Sequence, residues 1–412
     1  GFWPLSPIPD SVVYGTHTYN KGAAVMHNLR AYMGDSLFRK SLRGIQQSKA
    51  LGTLSPEQFR DLLEAESGIS LDYFFENQVF SPGFSVFVSD SFQVTPVAGQ
   101  WEVTLFLRQL LRACDTYYRQ VPLEVTFIGT EGQEMTQQIS AGMAISIAEL
   151  TLPFEPARVI LNRNNRLNMA RMDHELRIYP QQSIPSVVPL VDFRIFKEIL
   201  TDTAQVRIEH IWAGPDTSLK ASGIDQISNS HYWIVSGVWK SEDRLAAQLS
   251  YVGVKPSDLD YDLFQKDEKR TILVYRRQAS EPWRVYSDFT VTTGSLFNGA
   301  GTIRINNLIP GEYAFAKGDK SQSIEHAEPK FCRIFPNPAN QGVYIEPEGE
   351  QSVSGVLEIL GLDGRVCQKL ETKAGNTQTF FLSTSDLPDG LYLIRYRNKT
   401  FSQNLGRFIV MH

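Results

Sequence analysis

Cysteine is scarce, with only Cys114, Cys332 and Cys367 in 412 residues. Three scattered thiols build neither a disulfide framework nor a structural zinc knuckle, although one pair within the last domain stays open. The redox compartment is therefore left undecided by cysteine. No apolar run approaches the ~20 residues that span a bilayer as a helix. The chain begins Gly1-Phe2-Trp3-Pro4, without an initiator Met, a basic n-region or the apolar core of a signal peptide. The expectation is a removed leader or, preferably, a fragment of a longer protein. Basic charge is also in short supply. With 40 Lys and Arg against 45 Asp and Glu, the net charge is −5, which argues against the concentrated basic face of a nucleic-acid binder. No His-Glu-x-x-His segment occurs anywhere in the chain.

Core material is ample, at 42% hydrophobic residues with 24 Phe and 16 Tyr, and the length suits roughly two to four domains. Residues 18–80 read as helical. Val25, Leu29 and Tyr32 keep one face, Gly34 ends the run, and Asp35 starts another in which Phe38, Leu42 and Ile45 repeat the spacing. Ser55-Pro56-Glu57-Gln58 predicts a capping box, with Pro where no N–H is missed. After Ser81-Pro82-Gly83 the period becomes two, as in Trp101, Val103, Leu105 and Leu107, and most of the remaining chain reads as strand. Leu110–Tyr118 fits neither period and is expected to be a loop or short helix.

Polar, Pro-containing stretches at 179–185 and 317–330 mark linkers. Two segments, Leu308-Ile309-Pro310-Gly311-Glu312-Tyr313 and Leu387-Pro388-Asp389-Gly390-Leu391-Tyr392, share the spacing Leu-x-x-Gly-x-Tyr. That spacing predicts two tyrosine corners, in which the hydroxyl returns to the turn backbone. His231-Tyr232-Trp233, Trp239 and Trp283 could form a carbohydrate-stacking platform, but aromatics in alternating strands more often build a sandwich core. Ile272–Arg277 reads as a buried strand with an exposed basic exit.

The run Tyr19-Asn20-Lys21-Gly22, opening a long amphipathic helix, resembles the gluzincin aminopeptidases. The register continues through Met33-Gly34-Asp35-Ser36-Leu37-Phe38, Ser67-Gly68, Leu71-Asp72-Tyr73-Phe74-Phe75 and Pro82-Gly83. Where the family often has a Trp soon afterwards, Gln78 or Val79 stands instead. The resemblance implies that Tyr19 is catalytic, its phenol stabilising the oxyanion of the tetrahedral intermediate beside a zinc ion. Tyr14 falls where some members carry a second active-site Tyr and is given no role. The zinc site needs two His at i and i+4 of a helix, with a Glu base between them. Asp173-His174-Glu175 fails this, because Ile178 lies four beyond His174; His17 and His27 read as packing or solvent-facing. Gly142-Met143-Ala144 is only a superficial echo of the family's amine-holding Gly-x-Met-Glu-Asn. The metal residues and cofactor residues are thus none in this chain, with zinc implied only for a full-length enzyme. Residues 156–162 look like the closing strand of the family's buttress sandwich, with Asn162 in place of the usual Asp.

Phe335-Pro336-Asn337-Pro338-Ala339, Val356-Leu357-Glu358-Ile359, Asp363-Gly364-Arg365-Val366, Leu387–Ile394 and the terminal Arg407-Phe408-Ile409-Val410 are similar in order and spacing to the C-terminal sorting domain of the type IX secretion system. This implies the secretion machinery as partner, and a secreted or cell-surface location in a Gram-negative bacterium. The fold expected is multidomain: a short α-helical segment (1–81, the tail of a peptidase catalytic domain), a β-sandwich buttress (82–175), an accessory β-sandwich (186–318) and the sorting domain (331–412). Two functions follow. One is the C-terminal portion of a secreted zinc aminopeptidase, cleaving peptide substrate only when complete. The other is a non-catalytic surface module that keeps the helices as scaffold.

Overall fold

Four helices open the chain: α1 (Thr16–Met33), α2 (Asp35–Ser48), α3 (Pro56–Ser67) and α4 (Asp72–Gln78). Their faces meet through Val25, Leu29, Met33, Ile45, Leu63, Phe74 and Phe75, all buried. Gly34 takes φ 73° between α1 and α2, and Arg30 holds Asp35 by two hydrogen bonds of 2.8 and 2.7 Å across that corner. The capping box is present: Ser55 Oγ accepts from Gln58 N, and Gln58 Oε1 accepts from Ser55 N. The computed structural model describes residues 2–184, 186–265, 267–320, 332–335, 337–347, 355–361, 364–372, 379–397 and 402–412. Pro185, most of the 317–330 linker, Pro336 and Asp363 lie outside the described residues. The chain divides into two units, Gly1–Met172 with Ile211–Gly214, and Asp173–His210 with Pro215–His412.

In the first unit, strands β1 (Phe84–Val97), β2 (Gln100–Arg112), β3 (Val121–Gly129), β4 (Glu134–Ala141), β5 (Ile145–Leu152) and β6 (Pro156–Leu161) form two sheets, ordered β1-β2-β5 and β4-β3-β6. One core joins them, with Phe87, Leu105 and Leu107 from the first sheet and Leu123, Val125 and Phe127 from the second. Gly83 enters β1 at φ 69°, where a Cβ would strike the Arg112 and Ala113 carbonyls, so only glycine fits.

The 110–118 expectation needs correcting. Strand β2 runs through Arg112, and only the following residues form a loop. The amide of Gln109, buried on β2, accepts from Tyr118 N (2.7 Å) and donates to Tyr118 O (3.0 Å), so side-chain bonding rather than periodicity shapes this segment. Asn162 has a reason as well. At φ 48° its amide accepts from Leu167 N (3.0 Å) and donates to Leu167 O (2.7 Å), and an aspartate cannot do both.

Strand β7 (Arg171–Ile178) runs from the first unit into the second and is followed by β8 (Val187–Val188), β9 (Phe193–Ile199), β10 (Ala204–Ile211), β11 (Ile224–Ile227), β12 (Tyr232–Val238) and β13 (Arg244–Val252). Helix α5 (Tyr261–Phe264) precedes β14 (Thr271–Arg276), β15 (Arg284–Val285), β16 (Phe289–Thr293), β17 (Ala300–Ile305) and β18 (Gly311–Gly318). A seven-stranded sheet follows the order β15-β14-β18-β12-β10-β7 with β11 also on β18, and a five-stranded sheet the order β16-β17-β13-β9-β8. Tyr232, Trp233 and Trp283 are at most 1% exposed, so they are core and offer no stacking platform. Arg276 is likewise no basic exit: buried, it pairs with Glu312 at 2.6 Å and lies over the Trp283 ring, while only Arg277 faces solvent. Residues 179–182 are clamped by Lys197, whose Nζ donates to the carbonyls of Tyr179, Pro180 and Gln182 at 2.6–3.1 Å.

The last strands are β19 (Cys332–Phe335), β20 (Gly342–Pro347), β21 (Gly355–Leu360), β22 (Val366–Thr372), β23 (Phe380–Ser383), β24 (Gly390–Arg397) and β25 (Ser402–Val410). Sheets β19-β20-β23 and β22-β21-β24-β25 share a core of Val343, Ile345, Leu357, Ile359, Ile394 and Phe408. Both tyrosine corners form: Tyr313 Oη donates to Ile309 O and Tyr392 Oη to Pro388 O, each at 2.8 Å. Cys367 is a free, exposed thiol, so the cysteine pair left open in this domain is not made. Arg407, buried on β25, forms an ion pair with Asp216.

Candidate functional site

Tyr19 sits at the start of α1, with Gly15 as N-cap, and is 65% exposed. Trp3 and Tyr14 are also exposed. Lys21, two residues on, points inward and is 4% exposed. Its Nζ donates to Trp3 O at 2.9 Å and Ser81 O at 3.2 Å and lies 5.4 Å from the Phe84 ring centre. Burial lowers its pKa to about 8. The motif's lysine is thus a peg that fixes the first turns of α1 to the chain before it and to the exit from α4. Replacing it by methionine (Lys21→Met) leaves two carbonyls without their donor, at a cost of about 1–3 kcal/mol. A urea titration of this unit checks that figure; an unchanged midpoint would refute the peg.

Gln78 is held by polar pairing with α1. Asn28 Nδ2 donates to Gln78 Oε1 at 2.7 Å, and Asn28 Oδ1 accepts from Asn168 N at 2.6 Å. Residues around Tyr19 do not fit a zinc ion. His17 and His27 stand ten positions apart on α1, about 15 Å along its axis, and His27 Nε2 is engaged with Asn165 O at 2.9 Å. His174 lies within β7. Gly142-Met143 is the turn between β4 and β5, where Gly142 N donates to Ser146 Oγ at 2.8 Å. Among the described residues no group of three His, Cys, Asp or Glu is arranged to hold a metal ion.

A second constellation, which sequence reasoning missed, lies wholly in the second unit. His210 on β10 and His231 just before β12 are both buried, their Nε2 and Nδ1 atoms sharing a hydrogen bond of 2.8 Å. His231 Nε2 meets Asp260 Oδ1 at 2.7 Å, and Asp260 Oδ2 accepts from Val252 N at 2.9 Å. At the other end, His210 Nδ1 is 3.5 Å from Asp192 Oδ2, whose side chain is 65% exposed. The His210 ring stacks on Trp233 (4.6 Å between centres, 15° between planes), and Trp233 Nε1 donates to Val191 O at 2.8 Å, pinning the loop that carries Asp192. These groups border a cleft of about 380 Å³. Burial lowers the His210 pKa to about 4; Asp192 opposes that shift and His231 adds to it. The hydrogen bond from His210 in turn holds the Asp192 carboxyl below its ordinary value. A signal was available: in Val206-x-Ile208-x-His210 a histidine continues an inward-facing apolar alternation.

The final sheets supply the decisive feature for the chain's destination. The Asn337-Pro338-Ala339 opening is laced to the last strand, with Ile409 N donating to Asn337 Oδ1 and Ala339 N to Ile409 O, each at 2.7 Å. Residues 333–411 match the secretion system C-terminal sorting domain. The sorting domain marks the chain as a secreted, cell-surface-directed protein of the type IX system, which engages the secretion machinery. No helix among the described residues is long and apolar enough to cross a membrane.

Beyond the sorting domain, similarities are low. No curated protein matches the sequence at a significant level. Among solved structures, aminopeptidase A from Legionella pneumophila, in complex with aspartic acid, is 14% identical with a TM-score of 0.31, over 38% of this chain and 18% of that one. Dimeric latent PorU from Porphyromonas gingivalis is 11% identical with a TM-score of 0.19, over 80% and 34%. The adhesin domain of Epf from Streptococcus pyogenes is 8% identical with a TM-score of 0.17, over 58% and 92%. At these scores they say nothing of activity.

Proposed function

We propose that this chain is the C-terminal part of a metallo-aminopeptidase-like protein exported by a Gram-negative bacterium, with Tyr19 as a transition-state hydrogen-bond donor. The observation that carries this reading is the exposed Tyr19 phenol on a helix anchored by the buried Lys21, within a stretch in register with the gluzincin pattern. Attack on a peptide carbonyl turns its oxygen into an oxyanion, and a donor already held in place strengthens its bond as that charge develops. Donors of this kind are worth about 10²–10³ in rate. Among the described residues no group of three His, Cys, Asp or Glu is arranged to hold a metal ion, so this reading assigns the zinc and the general base to upstream sequence and expects peptide hydrolysis only from the longer protein. In this reading 82–175 buttresses the catalytic helices, 186–318 is an accessory sandwich, and 331–412 directs export.

The test uses the longer protein. Tyr19→Phe is expected to lower kcat for a peptide substrate at least about tenfold with an unchanged melting temperature, since the side chain is largely exposed. An unchanged kcat, or upstream sequence without His-Glu-x-x-His, would overturn the reading.

A further inference from the structure

The Asp192–His210–His231–Asp260 chain has a charge set by its geometry. It contains three gaps: 3.5 Å from Asp192 to His210, 2.8 Å between the imidazoles, and 2.7 Å from His231 to Asp260. Each gap accommodates at most one proton. Two neutral imidazoles bring two protons and two carboxylates bring two negative charges, so the chain carries −2; filling the third gap still leaves −1. With both carboxylates ionised the assembly stays negatively charged while these contacts persist, and all of it but Asp192 is buried. Asp258, also on the cleft, has its Oδ2 engaged by the amides of Val254 and Lys255, and Arg194 is the cationic side chain among the lining residues. The cleft is therefore acidic on balance. Its other walls are Val187, Phe193, Val252 and Leu259, with the Ser250 hydroxyl and Gln248 amide between them.

We propose that this cleft binds an alkylammonium group, the tip of a lysine side chain of a peptide or protein partner, with Asp192 as the principal acceptor. A lysine matches both halves of the site. Its apolar stem lies along the aliphatic walls and its ammonium compensates the buried negative charge. A bare divalent ion would need several convergent protein ligands, and no three His, Cys, Asp or Glu among the described residues are so arranged. Bound ammonium and the third proton relieve the same charge. They compete, with Asp192, His210, His231, Asp260, Asp258 and Arg194 as the ionisable groups that set the balance.

The experiment titrates the full chain with N-acetylated, amidated tri-lysine at pH 7.5, by calorimetry and by the imidazole NMR signals. Saturable binding that moves the His210 signals is expected, and Asp192→Asn, at an exposed position, should weaken it at least fivefold with an unchanged near-ultraviolet CD spectrum. The same peptide with its ε-amines acetylated should not bind. Equal binding by the acetylated peptide or by the Asn variant would overturn the proposal. So would calcium chloride moving the imidazole signals where the peptide does not. Tyr19 plays no part in this test, which stands apart from the peptidase reading.

Discussion

Acidification from pH 6.5 to 4 is expected to remove about 3 kcal/mol of unfolding free energy from the second unit through His210 alone. The imidazole is buried against Trp233, and its pKa falls from 6.5 to about 4, chiefly because burial disfavours the cation. Unfolding restores the ordinary value. Between the two pKa values the unfolded chain therefore binds a proton that the folded chain refuses. This contribution is complete above pH 6.5 and is lost as pH falls towards 4. Paired carboxylates such as Asp192 lose stabilisation in the same direction at lower pH, so the comparison must be differential. Urea unfolding of the wild type and of His210→Phe at several pH values isolates the term: the wild type should lose stability more steeply, and parallel pH curves would refute it.

Trp233→Ala should be the most damaging single substitution tested, at about 3–5 kcal/mol. The ring is fully buried, stacks on His210, meets the edges of His231 and Phe315 at 4.8 and 5.0 Å, and uses its Nε1–H to hold Val191. Removing it leaves a cavity between the sheets, a buried carbonyl without its donor, and a loosened loop under Asp192. Domains are commonly stable by only about 5–15 kcal/mol, so much of the second unit's margin would go. Trp239, partly exposed, is the control, and its alanine variant should lie within about 0.5 kcal/mol of wild type. Equal effects at the two positions in denaturant titrations would contradict the core assignment of Trp233.

What could be read beforehand was mostly local. The Ser55–Gln58 capping box, the Gly34 corner and the Tyr313 and Tyr392 corners each join residues at most five apart, so their chemistry lies inside one short window. The polar ties that shape the rest join distant residues. Asn28 meets Asn168 across 140 positions, and His231 meets Asp260 across 29. Nothing in the strands that carry Gln109, Lys197 and Arg276 indicates the carbonyls or carboxylates they meet. The run around Tyr19 is a local pattern and so stands out in the sequence, but it carries no information on metal donors. His210 was hidden for the opposite reason: each strand reads as unremarkable core, and the unusual feature exists only where they meet.

The Arg407–Asp216 ion pair makes the seat of the last strand independent of the backbone that leads to it. It joins β25 to the loop before β11 through a guanidinium that is almost wholly withdrawn from water. Parting the two requires that a buried cation be hydrated again, so the hold is written into the folded side chains rather than into the connecting chain.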